Sequence, residues 1–149
     1  GRNKISTCYV DNYCHGLILG EPALFPGSPA LGKFYIITDG EPVFFWDMID
    51  HALTECGLTS IKKRFALPYW FILGLSYLSL ALGALVGRKF RLNPFAVKMM
   101  TIHRWFNIDA ARNDLGYEPL VPFEEAFAKT IAWYKSSWIP ENMPELARV

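Results

Sequence analysis

The chain has 149 residues, with 15 Lys and Arg against 14 Asp and Glu, so its formal net charge is +1. Because so even a balance produces no field that attracts a polyanion, we expect no nucleic-acid partner. Charged residues make up 19% of the chain and aromatic residues 15%. Ordinary soluble domains carry about 25% charged residues. The composition therefore predicts apolar surface that must be buried against another surface, and a membrane is one candidate.

The cysteines and histidines indicate neither a disulfide framework nor a metal site. Cys8, Cys14 and Cys56 are odd in number and lack CxxC spacing, and the three histidines lack ligand spacing such as HExxH. We therefore expect reduced thiols and no bound metal. The first residue is Gly1 rather than Met, and strand-like sequence follows at once. We expect the chain to be a portion of a longer protein.

The first part of the chain predicts a strand followed directly by a helix. Residues 4–10 contain several β-formers and predict a short strand. Asp11 or Asn12 is then expected to cap a helix that runs to about Leu19, because short polar side chains satisfy the free amides of a helix start. The turn formers that fill residues 20–32 predict a loop.

A second strand and helix are predicted after this loop. The β-branched and aromatic run at residues 34–38 predicts a buried strand of the kind found in parallel sheets. Pro42 lies near the expected first position of a helix of about 14 residues, which Gly57 would end. One face of this helix is apolar and is predicted to pack in the core, at Trp46, Ile49, Leu53 and Cys56.

The last part of the chain is predicted to be helical. A short helix at residues 109–115 is expected to end at Gly116, and a final helix begins near Pro122 and runs to about residue 134. Prolines follow Ile139, so the remaining residues are predicted to form a loose tail.

The middle of the chain is an uncharged run at residues 65–87, long enough as a helix to span a bilayer. Basic clusters at residues 62–64 and 88–91 flank it, so the positive-inside rule gives no orientation. Pro68 and Gly74 suggest a break near its start, and a re-entrant or interfacial arrangement fits better than one clean crossing. The alternative is a buried helix of a soluble core. The expected membrane contacts are Trp70, Phe71, Leu75, Leu78 and Leu82.

Three segments resemble the 3β-hydroxysteroid dehydrogenase and sterol-4α-carboxylate 3-dehydrogenase family of extended short-chain dehydrogenases. The first is the Tyr-Val-Asp-Asn turn that begins at Tyr9, and the second is the run 35–42 with its Asp-Gly-Glu-Pro sequence, followed by Trp46. The third contains Leu-Gly-Tyr-Glu-Pro at residues 115–119, a pattern that also occurs in nucleotide-sugar epimerases. The apolar run between the second and third segments narrows the resemblance to the sterol-acting members.

The resemblance implies an α/β fold: the C-terminal, substrate-side part of an extended Rossmann-type dehydrogenase, mostly helical with short strands and a membrane-associated helical insert. Four regions are expected. They are the end of the α/β dehydrogenase domain, the membrane insert, a substrate-side helical subdomain and a loose tail, at residues 1–60, 61–92, 93–138 and 139–149.

The resemblance also implies a function for the parent enzyme, the NAD- or NADP-dependent oxidation of a sterol 3β-hydroxyl to a ketone in sterol biosynthesis. Its partners would be a sterol or steroid substrate, membrane lipid and possible copies of itself in a homodimer. The folded part would face the cytosol at the endoplasmic reticulum, with both basic flanks on that side of the membrane.

This chain is expected to lack the catalytic and cofactor-binding residues of that reaction. No glycine pair has the GxG spacing of a dinucleotide-binding turn, and no tyrosine is followed four residues later by lysine. The chain alone is therefore expected to bind no NAD or NADP. Tyr9, Asp11 and Asn12 are candidates for the substrate side of the cleft, although Asp11 and Asn12 also suit helix capping.

Two other functions remain open from the sequence. One is another extended reductase or epimerase, with a nucleotide-sugar or small phenolic substrate, for which a polar binding loop would be expected in place of the apolar run. The other is a non-catalytic membrane-docking module that kept the scaffold without the nucleotide-binding half. A dinucleotide-binding turn and a Tyr-x-x-x-Lys pair upstream in the same protein would distinguish the enzyme from the module.

Overall fold

The structure, a computed structural model, describes residues 1–88 and 90–143. It is mostly helical, with a short two-stranded sheet. In chain order the regular elements are β1 (Lys4–Ile5), α1 (Val10–Gly20), β2 (Val43–Phe44), α2 (Phe45–Glu55), a 3₁₀ turn (Ile61–Lys63), α3 (Tyr69–Val86), α4 (Pro94–Met99), α5 (Asp109–Leu115), α6 (Phe123–Trp133), a π-helical turn (Tyr134–Trp138) and α7 (Ile139–Asn142).

Strand β1 bonds to two parts of the chain that are distant from it in sequence. It pairs with β2 in antiparallel register, with Lys4 opposite Phe44. On its other side Ile5 forms a parallel bridge with Arg104, whose amide donates to the Lys4 carbonyl at 2.8 Å. The predicted strand 4–10 is therefore shortened to two residues, because the chain turns into α1 at Val10.

The predicted cap of α1 is wrong. The helix begins at Val10, with Tyr9 at the cap position in place of Asp11 or Asn12, and no side chain caps its first turn. Asp11 and Asn12 both lie inside the helix. Asn12 makes its hydrogen bonds elsewhere, to residues far along the chain. A distant partner thus outcompetes the local cap that propensity predicts.

The predicted strand at residues 34–38 is also wrong, since no regular strand is assigned there. Phe34 is 87% exposed, the side chains of residues 35–37 are half-buried, and Thr38 alone is buried. At the end of this segment the Asp39 amide donates to the Thr7 carbonyl at 2.9 Å. A strand requires a ladder along its length, and within residues 1–88 and 90–143 no neighbouring strand provides one.

Helix α2 is shorter than predicted, because β2 takes up the residues before it. Pro42 does not open the helix, which begins at Phe45. Its apolar face, predicted as core, is only half-buried. The expected stop is confirmed: Gly57 follows the helix with a φ of +79°, a conformation that glycine adopts without strain.

The two predicted C-terminal helices are confirmed. Helix α5 ends at Gly116 with a φ of +65°, and α6 begins directly after Pro122. The loose tail is wrong for residues 139–142, which continue the helix as α7 through a π-helical turn. The rest of the predicted tail, residues 144–149, lies outside the described residues. Helix α4 was not predicted.

A small core lies where α1, α5 and the segment 34–38 meet. Ile108, Ala111 and Tyr117 are buried there, with Leu19, Tyr35, Ile37 and Leu115 packed around them. Helix α1 approaches through Gly16, where an added Cβ would lie 2.8 Å from the Ile37 Cγ1 atom. Glycine at this position therefore sets the distance between α1 and that segment.

Helix α3 projects its apolar side chains away from this core. It begins after Pro68, ends at Gly87, and buries only Ser76 and Gly83 of its 18 residues. Within the described residues it is the one helix long and apolar enough to cross a membrane, judged by length and composition. Within the described chain it is therefore exposed and is not part of the core. The predicted break precedes the helix instead of interrupting it.

Candidate functional site

The three segments that carry the family resemblance meet in the folded chain. We call the meeting point the motif junction and define it as Tyr9, Asn12, Thr38, Asp39 and Tyr117. Tyr9 and Asn12 come from the first segment, Thr38 and Asp39 from the second, and Tyr117 from the third. Asn12 also bonds to the backbone of Val121, which lies 109 residues further along the chain. The motifs therefore define one spatial feature.

Asn12 is the centre of the junction. Its side-chain nitrogen donates to Asp39 Oδ1 at 2.7 Å and to the Val121 carbonyl at 2.8 Å, and its oxygen accepts from the Val121 amide at 2.9 Å. The residue is fully buried. Since an amide side chain has two donor hydrogens and one acceptor oxygen, these contacts use both hydrogens and the oxygen. Asn12 thus fixes α1 to the segment before α6.

Asp39 receives two hydrogen bonds on one carboxylate oxygen. The Tyr9 amide donates to Asp39 Oδ1 at 2.7 Å, beside the bond from Asn12. Tyr9 is the residue that precedes α1, so this carboxylate lies at the positive end of the helix dipole. The helix start is therefore satisfied by Asp39, from 30 residues away, rather than by a local cap.

Tyr117 closes the junction from the side of α5. Its hydroxyl donates to the Thr38 carbonyl at 2.8 Å, its side chain is fully buried, and its ring centroid lies 5.8 Å from that of His15. Burial, with the negative charge that Cys8 and Asp39 would add, raises the pKa of Tyr117 to about 12. The phenol therefore remains a hydrogen-bond donor across the physiological range.

The three substrate-side candidates lie close together but differ in access. Asp11 is exposed in the first turn of α1, Tyr9 is half-buried, and Asn12 is enclosed with its bonds made inside the protein. Asp11 and Tyr9 are therefore accessible to solvent, whereas Asn12 is not. Thr38, Asp39 and Tyr117 were not named as site residues from the sequence, although all three lie in the resembling segments.

A second polar cluster, beside the junction, links the loop before Thr38 to α5. Asp114 Oδ2 accepts from the Lys33 ammonium and from the Tyr35 hydroxyl, each at 2.8 Å. These hydrogen bonds, first that from Lys33 and then that from Tyr35, hold the pKa of Asp114 below its usual value. Sequence analysis missed this cluster because about 80 residues separate its members and no spacing connects them.

The N-termini of four described helices, α1, α2, α5 and α6, do not fit the pyrophosphate of a dinucleotide. Such a group binds at a helix N-terminus with free amides and no competing negative charge. At α1 that position already has the Asp39 carboxylate and carries Asp11 in its first turn. Helices α2, α5 and α6 also carry acidic residues in their first turns, at Asp47, Asp109, Glu124 and Glu125.

The predicted membrane contacts form an exposed apolar surface on α3. The indole of Trp70 is 73% exposed, and the other four predicted residues range from 44% to 55%. Further large apolar side chains of the helix share this exposure, at Leu80, Leu85 and Val86. Monomeric soluble proteins rarely expose so continuous an apolar surface. The geometry is thus suited to contact with lipid or with another protein.

Comparison with curated proteins confirms the resemblance read from the motifs. The chain is 35% identical over 133 residues to a 3-beta-hydroxysteroid dehydrogenase of Mycolicibacterium neoaurum, a match that covers 88% of this chain and 36% of that protein. It is 29% identical over 135 residues to the decarboxylating sterol-4-alpha-carboxylate 3-dehydrogenase of Mus musculus, with 88% and 37% covered. The chain thus spans little more than a third of the length of these relatives.

A relative with a different named substrate also matches. The 2-alkyl-3-oxoalkanoate reductase of Stenotrophomonas maltophilia is 30% identical over 130 residues, covering 87% of this chain and 39% of that protein. No family model matches the chain. Among solved structures, that of gox2253 superposes with a TM-score of 0.64 at 22% identity, covering 89% of this chain and 38% of that one. This likeness shows a shared fold.

Proposed function

We propose that this chain is the substrate-side portion of a 3β-hydroxysteroid dehydrogenase that oxidises a sterol 3β-hydroxyl to a ketone with NAD or NADP. The observation that carries the proposal is the motif junction, in which all three resembling segments meet, together with similarity to dehydrogenases of that name over 88% of the chain. The hydride-transfer residues would lie in the part of the enzyme that this chain does not match.

Uncovered surfaces near the junction support a partner of the α/β type. The face of α1 opposite Asn12 and Gly16 is apolar yet exposed, with Val10, Tyr13, Leu17 and Ile18 each between 52% and 68% accessible. A helix that is apolar on both faces is normally buried on both. We place the nucleotide-binding half of the enzyme against this face and beside residues 34–37, whose predicted strand lacks a ladder in the described chain.

Tyr9 and Asp11 are the residues that we propose for the substrate side of the cleft. Both lie at the start of α1, where Asp39 fixes the backbone and leaves the Asp11 side chain exposed. Asn12 would serve as a positioning residue, because its contacts are all within the protein.

We further propose that α3 docks the enzyme on the membrane of the endoplasmic reticulum, with the folded part facing the cytosol. Elements before and after α3 belong to one folded unit: Ile5 bridges Arg104, Glu55 pairs with Lys135 at 3.2 Å, and the ring of His51 lies 5.5 Å from that of Phe127. A single crossing would separate these contacts across the bilayer. Helix α3 would therefore lie along the surface, or the chain would return after Gly87, with both basic flanks on one side.

The proposal is tested with the longer protein that contains this chain. The membrane fraction of cells expressing it should convert a 3β-hydroxysteroid into the 3-ketosteroid. One NAD or NADP should be reduced for each steroid oxidised, which the absorbance of the reduced nicotinamide measures. Substitution of a Tyr-x-x-x-Lys tyrosine outside this chain provides the inactive control. A membrane-bound protein with an intact nucleotide site but no activity on any 3β-hydroxysteroid would contradict the proposal.

A second candidate is a reductase of another apolar substrate. The 2-alkyl-3-oxoalkanoate reductase matches a similar share of the chain, and an exposed apolar surface suits a long alkyl substrate as well as a sterol. Parallel assays separate the two: 3β-hydroxysteroid oxidation with NAD or NADP, and 2-alkyl-3-oxoalkanoate reduction with NADH or NADPH. The leading proposal requires the higher kcat/KM for the steroid.

A further inference from the structure

An apolar groove lies between the second half of α3 and the chain that folds back beside it. The groove has a volume of about 770 Å³, within the range of small-molecule sites. Among the described residues its walls are mainly apolar and include the cation Arg88, with Tyr77, Leu80, Ala84, Phe90 and Phe95 also lining it. It lies at the opposite end of α3 from the 3₁₀ turn, and away from the motif junction.

The fold-back that forms the groove is set by local sequence. Gly87 takes a φ of +66° and turns the chain, and the Arg88 amide then donates to the Gly83 carbonyl at 2.9 Å. A Cβ atom at Gly83 would lie 2.5 Å from the Arg88 carbonyl oxygen, so only glycine allows this approach. Asn93 caps α4 by accepting from the Ala96 amide at 2.8 Å. Helix α4 in turn packs against α3. The groove is therefore a built feature of this turn.

We propose that this groove binds one membrane phospholipid with an anionic head group. An acyl chain would fill the apolar channel between Leu80, Ala84 and Phe90, and the guanidinium of Arg88 would pair with the head-group phosphate and carboxylate. Within residues 1–88 and 90–143, Arg88 forms no salt bridge, so its charge is available for a ligand. The inference rests on the proposed membrane docking of α3, which brings the groove to the bilayer.

The occupant follows from the charge and shape of the site. A sterol whose only polar group is a hydroxyl offers no anion to Arg88, whereas the head group of an anionic phospholipid does. A partner helix would need a broad exposed face, whereas at Gly83 the folded-back chain lies directly against α3. An anionic lipid satisfies the channel and the cation together.

The test uses the whole chain with vesicles of phosphatidylcholine alone or mixed with phosphatidylserine. Flotation measures docking, and nitroxide-labelled phosphatidylserine reports, by electron spin resonance, the lipid that the protein immobilises. Ala84→Trp fills the groove and should abolish most of the immobilised component. Ala81→Trp is the matched control, because Ala81 is an exposed alanine on the same helix that does not line the groove. It should leave the component unchanged.

Arg88→Gln tests the anionic head group. This substitution should reduce the preference of the immobilised component for phosphatidylserine over phosphatidylcholine by about fivefold, the effect of one well-placed cation. Arg91→Gln removes an equal charge nearby but outside the groove lining. It should lower flotation as much as Arg88→Gln does, while keeping the preference of the immobilised lipid.

The outcomes separate the groove from the docking. If the wild-type chain floats with the vesicles but immobilises no lipid, or if both tryptophan variants behave alike, the groove proposal is wrong and the docking stands. If the wild-type chain does not float with either kind of vesicle, the docking fails and the groove proposal fails with it.

Discussion

The motif junction and helix α3 are built on opposite principles. At the junction a few polar side chains are enclosed and fully hydrogen-bonded, as Asn12 and Tyr117 are. Along α3, by contrast, large apolar side chains such as Trp70 and Leu85 are exposed, at 73% and 83%. Buried polar contacts at fixed geometry specify how segments meet. We propose that the exposed apolar surface of α3 decides where the molecule resides, so that the two regions can be disrupted independently.

The largest expected effect is on location. Deletion of residues 65–87 should convert the protein from membrane-bound to extractable without detergent, because it removes all the large apolar side chains of α3. Sedimentation of membranes after a carbonate wash measures this. A variant of the junction, Asn12→Ala, should remain membrane-bound wherever it still folds. If the deletion keeps full membrane binding, α3 has no role in docking.

The next effect is on stability. Asn12→Ala should lower the free energy of unfolding by about 2–4 kcal/mol, because it removes three hydrogen bonds and leaves buried partners unsatisfied. Urea denaturation followed by circular dichroism measures the change. Asn113→Ala, an exposed asparagine on α5, is the control and should change the free energy by less than about 0.5 kcal/mol. Equal effects would show that the junction does not hold the segments together.

The pH dependence of stability tests the buried hydrogen bond of Tyr117 at the junction. Tyr117→Phe should cost about 1–2 kcal/mol, because it leaves the Thr38 carbonyl without its donor. The pKa of Tyr117 is raised to about 12 in the folded chain, so its contribution to stability is complete below pH 10 and falls as the pH rises from about 10 to 12.

Thermal unfolding across that pH window should therefore show a decline for the wild type that is smaller in Tyr117→Phe. Tyr13→Phe, at an exposed tyrosine of α1, should leave the decline unchanged. An identical pH profile in wild type and Tyr117→Phe would contradict the assigned burial of the phenol.

The smallest effect concerns the exposed polar cluster at Asp114. Its hydrogen bonds from Lys33 and Tyr35 lower its pKa, so its contribution is present above the ordinary carboxyl pKa and is lost as the pH falls through the lowered value. Asp114→Asn should be slightly less stable than wild type at neutral pH and should converge with it in acid. Divergence of the two in acid would reverse the sign assigned here.

The sequence predicts elements with strong local signals and fails where distant residues decide. Gly116 and Pro122 mark the bounds of α5 and α6 correctly, because left-handed glycine and an N-terminal proline act locally. The cap of α1 fails because Asp39, which is remote in sequence, supplies the acceptor. The strand at 34–38 fails because the β-forming residues there have no ladder partner among the described residues.

The sequence named candidate residues that are neighbours in the structure, but it did not predict the contacts that they make. Tyr9, Asp11 and Asn12 do lie together, since they are consecutive or nearly so at the start of α1. Their different access to solvent follows from Asp39 and Val121, and no pattern in the sequence pairs those positions with Asn12. The exposed surface of α3 was predictable, because it depends on composition alone.

The central claim is that this chain supplies substrate-side and membrane contacts while the nucleotide is bound elsewhere in the enzyme. Calorimetric titration of the 149-residue chain with NADH and NADPH tests it most directly. We predict no saturable heat, because the chain has no glycine pair with the GxG spacing of a dinucleotide-binding turn, and acidic groups lie at the N-termini of α1, α2, α5 and α6. Saturable binding of either nucleotide in the micromolar range would contradict the account and require a nucleotide site within this chain.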